Sequence, residues 1–193
     1  MRSIVAVRFQ PTPLADAIVL ELDVIPDQRG GFARSFCESE FAEAGLPARF
    51  PQSNLSYNTV AGTLRGLHFN AEPFGEAKLV RVVRGEIRDV IVDLRADSAT
   101  RFQWFSVDLS AENGRALFVP EGFAHGFITL VDQTDVLYQV SAEYRPGAAR
   151  TIAWDDPAFG IDWGREPTVM SERDRACPPV DLAAFDLSTY GGG

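Results

Sequence analysis

Leu79-Val80-Arg81-Val82-Val83-Arg84-Gly85-Glu86-Ile87-Arg88-Asp89-Val90-Ile91-Val92-Asp93-Leu94 is the stretch that decides the fold. Two runs rich in valine and isoleucine flank a three-residue turn, and that composition with those bounds reads as two strands rather than one helix. The arrangement repeats downstream. Trp104–Leu109 and Arg115–Val119 flank Ala111-Glu112-Asn113-Gly114, whose Asn-Gly pair is a strong hairpin signal, and Gly126–Val131 and Val136–Val140 flank Asp132-Gln133-Thr134-Asp135. From residue 50 onward the hydrophobic period is two rather than 3.6, with turn signals about every eight to twelve residues. A stack of hairpins of this kind closes most simply into an all-β jelly-roll barrel or sandwich with minor short helices.

Upstream of that core the pattern is less regular. Ile4–Val7 and Ile18–Val24 read as two early strands separated by Pro11 and Pro13, Pro26–Gly31 as a turn, and Phe32–Phe36 as a half-buried strand. Ser39–Ala44 carries helix formers with acidic residues in its first turn, and Gly45 is a suitable stop. Beyond Tyr144 the chain turns Pro-, Asp- and Gly-rich, with Trp154 and Trp163 as anchors for irregular backbone. A length of 193 residues suits one domain spanning 1–193, in which 145–193 forms an irregular C-terminal segment.

The net charge of −9 argues against a nucleic-acid or anionic membrane surface, since such partners need a contiguous basic face. Any anionic ligand must be held by a few locally placed cations. Cys37 and Cys177 are too few and too far apart for a disulfide framework or a zinc site, which suits a reducing compartment. Met1–Val7 lacks the apolar core of a signal peptide and no apolar run reaches membrane-spanning length, so the expected location is the cytoplasm.

The chemistry concentrates around two histidines, His68 and His125. Two histidines exclude a three-histidine metal site; a site of two histidines and one carboxylate stays allowed but unsupported, and the metal-free reading is preferred. If Arg65, His68 and Lys78 share a cavity, the two cations disfavour an imidazolium and suit His68 to act as a base. Each residue also has a plainer reading. Arg65 and Lys78 alone are solvated strand charges, Tyr138 a core tyrosine, His125 a loop brace, and Asp174 a first-turn carboxylate in a short helix capped by Ser171.

Taken together, Arg65-Gly66-Leu67-His68-Phe69, Lys78–Gly85, Asp89–Asp93, Pro120–Phe127, Leu137-Tyr138 and Trp154-Asp155-Asp156-Pro157 with Ile161-Asp162-Trp163 resemble the dTDP-4-dehydrorhamnose 3,5-epimerase family, in order from about Asp27 to Asp174. The resemblance implies a cupin-type jelly roll and a homodimer whose N-terminal strands, within residues 1–35, cross to the partner. It implies an isomerase, free of metal and cofactor, that inverts carbons 3 and 5 of a nucleotide-diphosphate-linked 4-keto-6-deoxyhexose. By the same resemblance His68 is the base, Asp174 the carboxylate that orients it, Lys78 the cation beside the enolate oxygen and Tyr138 the acid on the opposite face. Arg65 pairs with the diphosphate, and Arg29, Phe32, Gln52, Asn54 and His125 help bind the substrate. The chain departs from the family pattern at Arg34, where a glutamate is common. That charge reversal leaves CDP, GDP and UDP sugars open beside dTDP, and a mono-epimerase, a silent sugar-nucleotide binder and a metal-dependent oxidoreductase stand as rival readings.

Overall fold

The computed structural model describes residues 6–191, so the Ile4-Val5 part of the first expected strand lies outside the described residues. The elements in order are β1 (Val7–Pro11), β2 (Ile18–Leu22), β3 (Ile25–Asp27), β4 (Gly30–Phe32), α1 (Glu38–Glu43), β5 (Gln52–Asn58), β6 (Leu64–Asn70), β7 (Lys78–Arg84), β8 (Glu86–Asp93), β9 (Trp104–Ser110), β10 (Ala116–Val119), β11 (Phe123–Thr129), β12 (Thr134–Val140), β13 (Ala149–Thr151) and α2 (Glu172–Arg175). A six-stranded sheet of order β1-β2-β10-β7-β12-β5 faces a five-stranded sheet of order β13-β6-β11-β8-β9, all antiparallel, and β3 with β4 forms a separate two-stranded ribbon. This is the expected jelly roll.

The three expected hairpins are corrected by the pairing. β7 and β8, β9 and β10, and β11 and β12 each flank a tight turn, but the two members of each pair lie in different sheets. The local turn chemistry is as read: the Asn113 side chain accepts from the Ser110 and Arg115 amides, and Gly114 takes φ +63°. A tight turn fixes a chain reversal, not a hydrogen-bonding partner. The inner strand β8 is buried on both faces. Ile87, Val90, Ile91 and Val92 of β8 are all buried, and a strand with two apolar faces must sit inside a sheet, here between β9 and β11.

Alternation then sorts the side chains into three cores. Val80, Val82, Ile87, Ile91, Leu117, Phe127 and Val136 fill the space between the sheets. Val90, Val92, Ala124 and Ile128 turn to the other face of the five-stranded sheet, where the C-terminal segment covers them with Phe159, Trp163, Phe185 and Leu187. Leu20, Leu79, Ala116 and Phe118 turn to the other face of the six-stranded sheet and meet Phe41 of α1. Each fully buried large aliphatic or aromatic side chain contributes about 1.5–3 kcal/mol relative to exposure. Trp163 anchors as expected, its indole N–H donating to the Trp154 carbonyl at 2.8 Å.

A second correction concerns 32–36. The strand there ends at Phe32, whose side chain is two-thirds exposed, and Phe36 instead packs its ring on Phe41 and Phe50, with centroids 4.7 and 5.8 Å away. The alternation of bulky and small residues reflects one aromatic anchor, not a pleat.

Candidate active site

A cavity of about 580 Å³ opens between the two sheets, lined by Arg65 and His68 of β6, Lys78 of β7, His125 and Phe127 of β11, Tyr138 of β12, Ser56 of β5, and Met170–Ser171, Arg173 and Asp174 at and beside α2. Three cations thus line one cavity in a chain of net charge −9, against a single lining carboxylate. The five-stranded sheet supplies both imidazoles; the six-stranded sheet supplies the ammonium and the phenol across from them.

Arg65 and His68 share the cavity because β6 is irregular. In a regular strand residues three apart point to opposite faces. Here His125 faces His68 and Phe127 faces Arg65, so β6 spends one more residue than β11 over the same interval. The bulge requires Gly66. Its φ is +124°, and a Cβ at that position would stand 2.6 Å from the Gly126 Cα and 2.8 Å from the His125 carbonyl oxygen. Arg65 then leans toward β5, donating from Nε to Asn58 Oδ1 at 2.8 Å and from Nη2 to the Tyr57 carbonyl at 3.3 Å.

Asp174 reaches His68 through a backbone clamp. Thr168 N donates to the Gly62 carbonyl and Leu64 N to the Val169 carbonyl, so the C-terminal segment runs beside the start of β6. Gly62 permits that approach, since a Cβ there would lie 2.6 Å from Thr168 Oγ1. Ser171 caps α2, its Oγ accepting from Asp174 N at 3.1 Å. The Asp174 Oδ1 lies 2.7 Å from His68 Nε2 and Oδ2 accepts from the Gly66 amide at 3.4 Å. Burial works against ionising this carboxyl, but the His68 hydrogen bond and charge, with the Gly66 and Ser171 contacts, outweigh it and hold the carboxyl below its ordinary value. An ionised Asp174 selects the tautomer with a proton on the ring nitrogen facing it, which leaves the other nitrogen's lone pair for a substrate.

A second imidazole–carboxylate pair backs the same cavity. His125 Nε2 lies 2.6 Å from Oδ1 of the fully buried Asp89, whose Oδ2 has no hydrogen-bond partner among the described residues. Tyr138 is half-buried; burial pushes its phenol up, the Glu76 charge adds to that, and Arg65 opposes it. Among the described residues no three histidine, cysteine, aspartate or glutamate side chains group as metal ligands.

The family model for dTDP-4-dehydrorhamnose 3,5-epimerase matches residues 11–181. The chain belongs to this family. A dTDP-4-dehydrorhamnose 3,5-epimerase of Methanothermobacter thermautotrophicus is 49% identical over 90% of this chain and 94% of its own length. The crystal structure of a family member from Bacillus anthracis, described with TDP and PPi bound, superposes with a TM-score of 0.87 at 42% identity, covering 91% of this chain and all of that one. ChmJ of Streptomyces bikiniensis, described as a 3'-monoepimerase in complex with dTDP-quinovose, matches at 32% identity with a TM-score of 0.82 over 90% of this chain and 87% of that one.

Set within this epimerase family, the expected site residues divide into two groups. His68, Lys78, Tyr138, Asp174, Arg65 and His125 meet in the cavity. Gln52 and Asn54 do not line it but lie on the face of β5 that carries Ser56, by the two-residue period. Arg29 and Phe32 stand away from it on the exposed β3–β4 ribbon, Arg29 paired with Asp27 at 2.5 Å. Arg34 is ion-paired with Glu40 of α1 at 2.9 Å, so the reversed charge is answered within its own segment. Sequence reasoning missed Arg173 and Asp89. Arg173 borders Asp174 in α2, and Asp89 was legible as a carboxylate between Ile87 and Ile91 on the inward face of β8.

Proposed function

We propose that this chain epimerises carbons 3 and 5 of a dTDP-linked 4-keto-6-deoxyhexose, of the dTDP-4-dehydro-6-deoxyglucose to dTDP-4-dehydrorhamnose type. The observation that carries the reading is an imidazole backed by a buried carboxylate on one sheet, facing an ammonium and a phenol on the other. The 4-keto group acidifies the protons on both neighbouring carbons. His68 removes each proton in turn while Asp174 supports the imidazolium, and Lys78 stabilises the negative charge that builds on the keto oxygen. Tyr138 returns a proton from the opposite wall at carbon 5, which inverts that centre. At carbon 3 the returning proton is supplied by solvent water on the face opposite His68, and His68 passes each proton it removes to solvent before the next step.

Arg65 and Arg173, which line the cavity, are read as the partners of the diphosphate, a task suited to the planar guanidinium. The exposed Arg29 and Phe32, with residues 1–35 generally, are read as the part of a homodimer that reaches the second copy's site, and Gln52, Asn54, His125 and Arg34 as contacts of the nucleotide end and sugar. Inversion at both carbons is favoured over a mono-epimerase because the relatives at 40–49% identity are named 3,5-epimerases. No helix among the described residues is long and apolar enough to cross a membrane, and with two free cysteines the cytoplasm is the compartment that fits.

The test is solvent deuterium incorporation into dTDP-, CDP- and GDP-linked 4-keto-6-deoxyhexoses, read carbon by carbon. Label at carbons 3 and 5 of the dTDP sugar is expected, and His68→Ala should abolish both. Label at one carbon only, or a preference for another nucleotide, overturns the corresponding part of the reading.

A further inference from the structure

We propose that Glu76 is a positioning residue for this reaction, fixing the Lys78 ammonium on the cavity face of the six-stranded sheet beside Tyr138. The inference rests on the epimerase reading and deepens it. Lys78 Nζ lies 3.4 Å from Glu76 Oε1, and the two side chains are only 11% and 17% exposed. The backbone between them is pinned. Ala77, itself buried, donates from N to Ser141 Oγ at 2.8 Å and accepts at its carbonyl from Ser141 N at 3.0 Å. The carboxylate therefore stands on a fixed base, while the lysine stem has four rotatable bonds and no other ion-pair partner among the described residues.

The register brings this pair to the acid. Lys78 is opposite Val140 and Val80 is opposite Tyr138, so Lys78 and Tyr138 are diagonal neighbours on one face, about 7–8 Å apart by ordinary sheet geometry. Glu76 thereby acts on both groups. It holds an ammonium ready for the enolate oxygen, so that the cation is not gathered during the step. Its negative charge also joins burial in keeping the Tyr138 phenol protonated, against Arg65. The other charged or titratable groups around the cavity are His68, His125 with Asp89 behind it, and Arg173 and Asp174 of α2, and none of these is ion-paired with Glu76.

The experiment is the pH dependence of kcat and KM for the wild type, Glu76→Gln and Glu76→Asp, measured by deuterium incorporation, with thermal melting as the folding control. Glu76→Gln is expected to lower kcat about tenfold with little change in KM. Its alkaline limb should move to lower pH, because the phenol loses a neighbouring anion. Glu76→Asp should restore most of both. A wild-type limb in Glu76→Gln, or a loss of kcat at an unmoved limb that aspartate does not rescue, overturns the proposal. Failure of the epimerase reading is distinguishable. If the wild type exchanges no label, Tyr138 is titrated by phenolate absorbance, isolated by subtracting the Tyr138→Phe protein. A downward shift in Glu76→Gln then sustains the role of Glu76, and no shift refutes it.

Discussion

Replacing Asp174 by asparagine changes one oxygen into an NH2 group at a site where both oxygens accept. Oδ1 faces His68 Nε2 at 2.7 Å and Oδ2 faces the Gly66 amide at 3.4 Å. An amide can satisfy only one of them. If its oxygen stays toward His68, its NH2 confronts the Gly66 N–H and leaves a buried donor unpaired, at a cost of about 1–3 kcal/mol. If its NH2 turns to His68, the ring takes the other tautomer, and the lone pair that should face the substrate is lost. Either way the developing imidazolium loses a hydrogen bond that it donates to an ionised partner, about 1.5–3 kcal/mol, which converts to about 10- to 150-fold in kcat. Deuterium incorporation at both carbons, with KM followed separately, is the assay. The stability side has a definite sign. Asp174 is held below its ordinary value, so its contribution is present above the unfolded carboxyl range and is lost as pH falls through the folded value. The urea midpoints of the wild type and Asp174→Asn should therefore converge on acidification from pH 6 to below the folded carboxyl's depressed value. A variant with kcat within about twofold of the wild type, or a stability gap that is constant with pH, refutes the argument.

Two further outcomes are expected. Tyr138→Phe should slow net inversion at carbon 5 more than proton removal there, seen as exchange outrunning product formation; unchanged rate and stereochemistry would remove Tyr138 from the mechanism. Gly66→Ala places a Cβ 2.6 Å from the Gly126 Cα at a φ of +124°, and should cost at least about 2 kcal/mol in urea unfolding while abolishing exchange. A stable, active Gly66→Ala protein would show that the bulge in β6 is not what brings Arg65 and His68 together.

The all-β class was legible because β8 and its neighbours are dense in β-branched residues, and the functional cluster because the motif around His68 is distinctive. Strand partners were not legible. The Asn113-Gly114 turn looks the same whether its flanking strands pair or part to opposite sheets, and only the register, β9 against β8 and β10 against β2 and β7, decides between them. Phe36 misled because an aromatic docked on Phe41 alternates with small neighbours just as a strand residue does. Arg65 and His68 sharing one face runs against the two-residue period, and only the register against β11 reveals the extra residue. Arg173 and Glu76 carry no pattern of their own; what marks them is the neighbour each meets in space.

The sheet-crossing connections bear on when the site comes into being. β5 is held by β12, and β7 by β10 and β12, so no wall of the cavity can be completed from one local stretch of chain. Asp174, the carboxylate beside His68, is held there by a C-terminal segment that is clamped onto Gly62 and Leu64, about a hundred residues back along the chain. Folding dominated by such distant closures is slow relative to a helical bundle of the same size. A chain that has buried its apolar surface but not closed this clamp lacks Asp174 beside His68. Recovered epimerase activity in a refolding experiment would time the final closure of the whole molecule, well after secondary structure has returned.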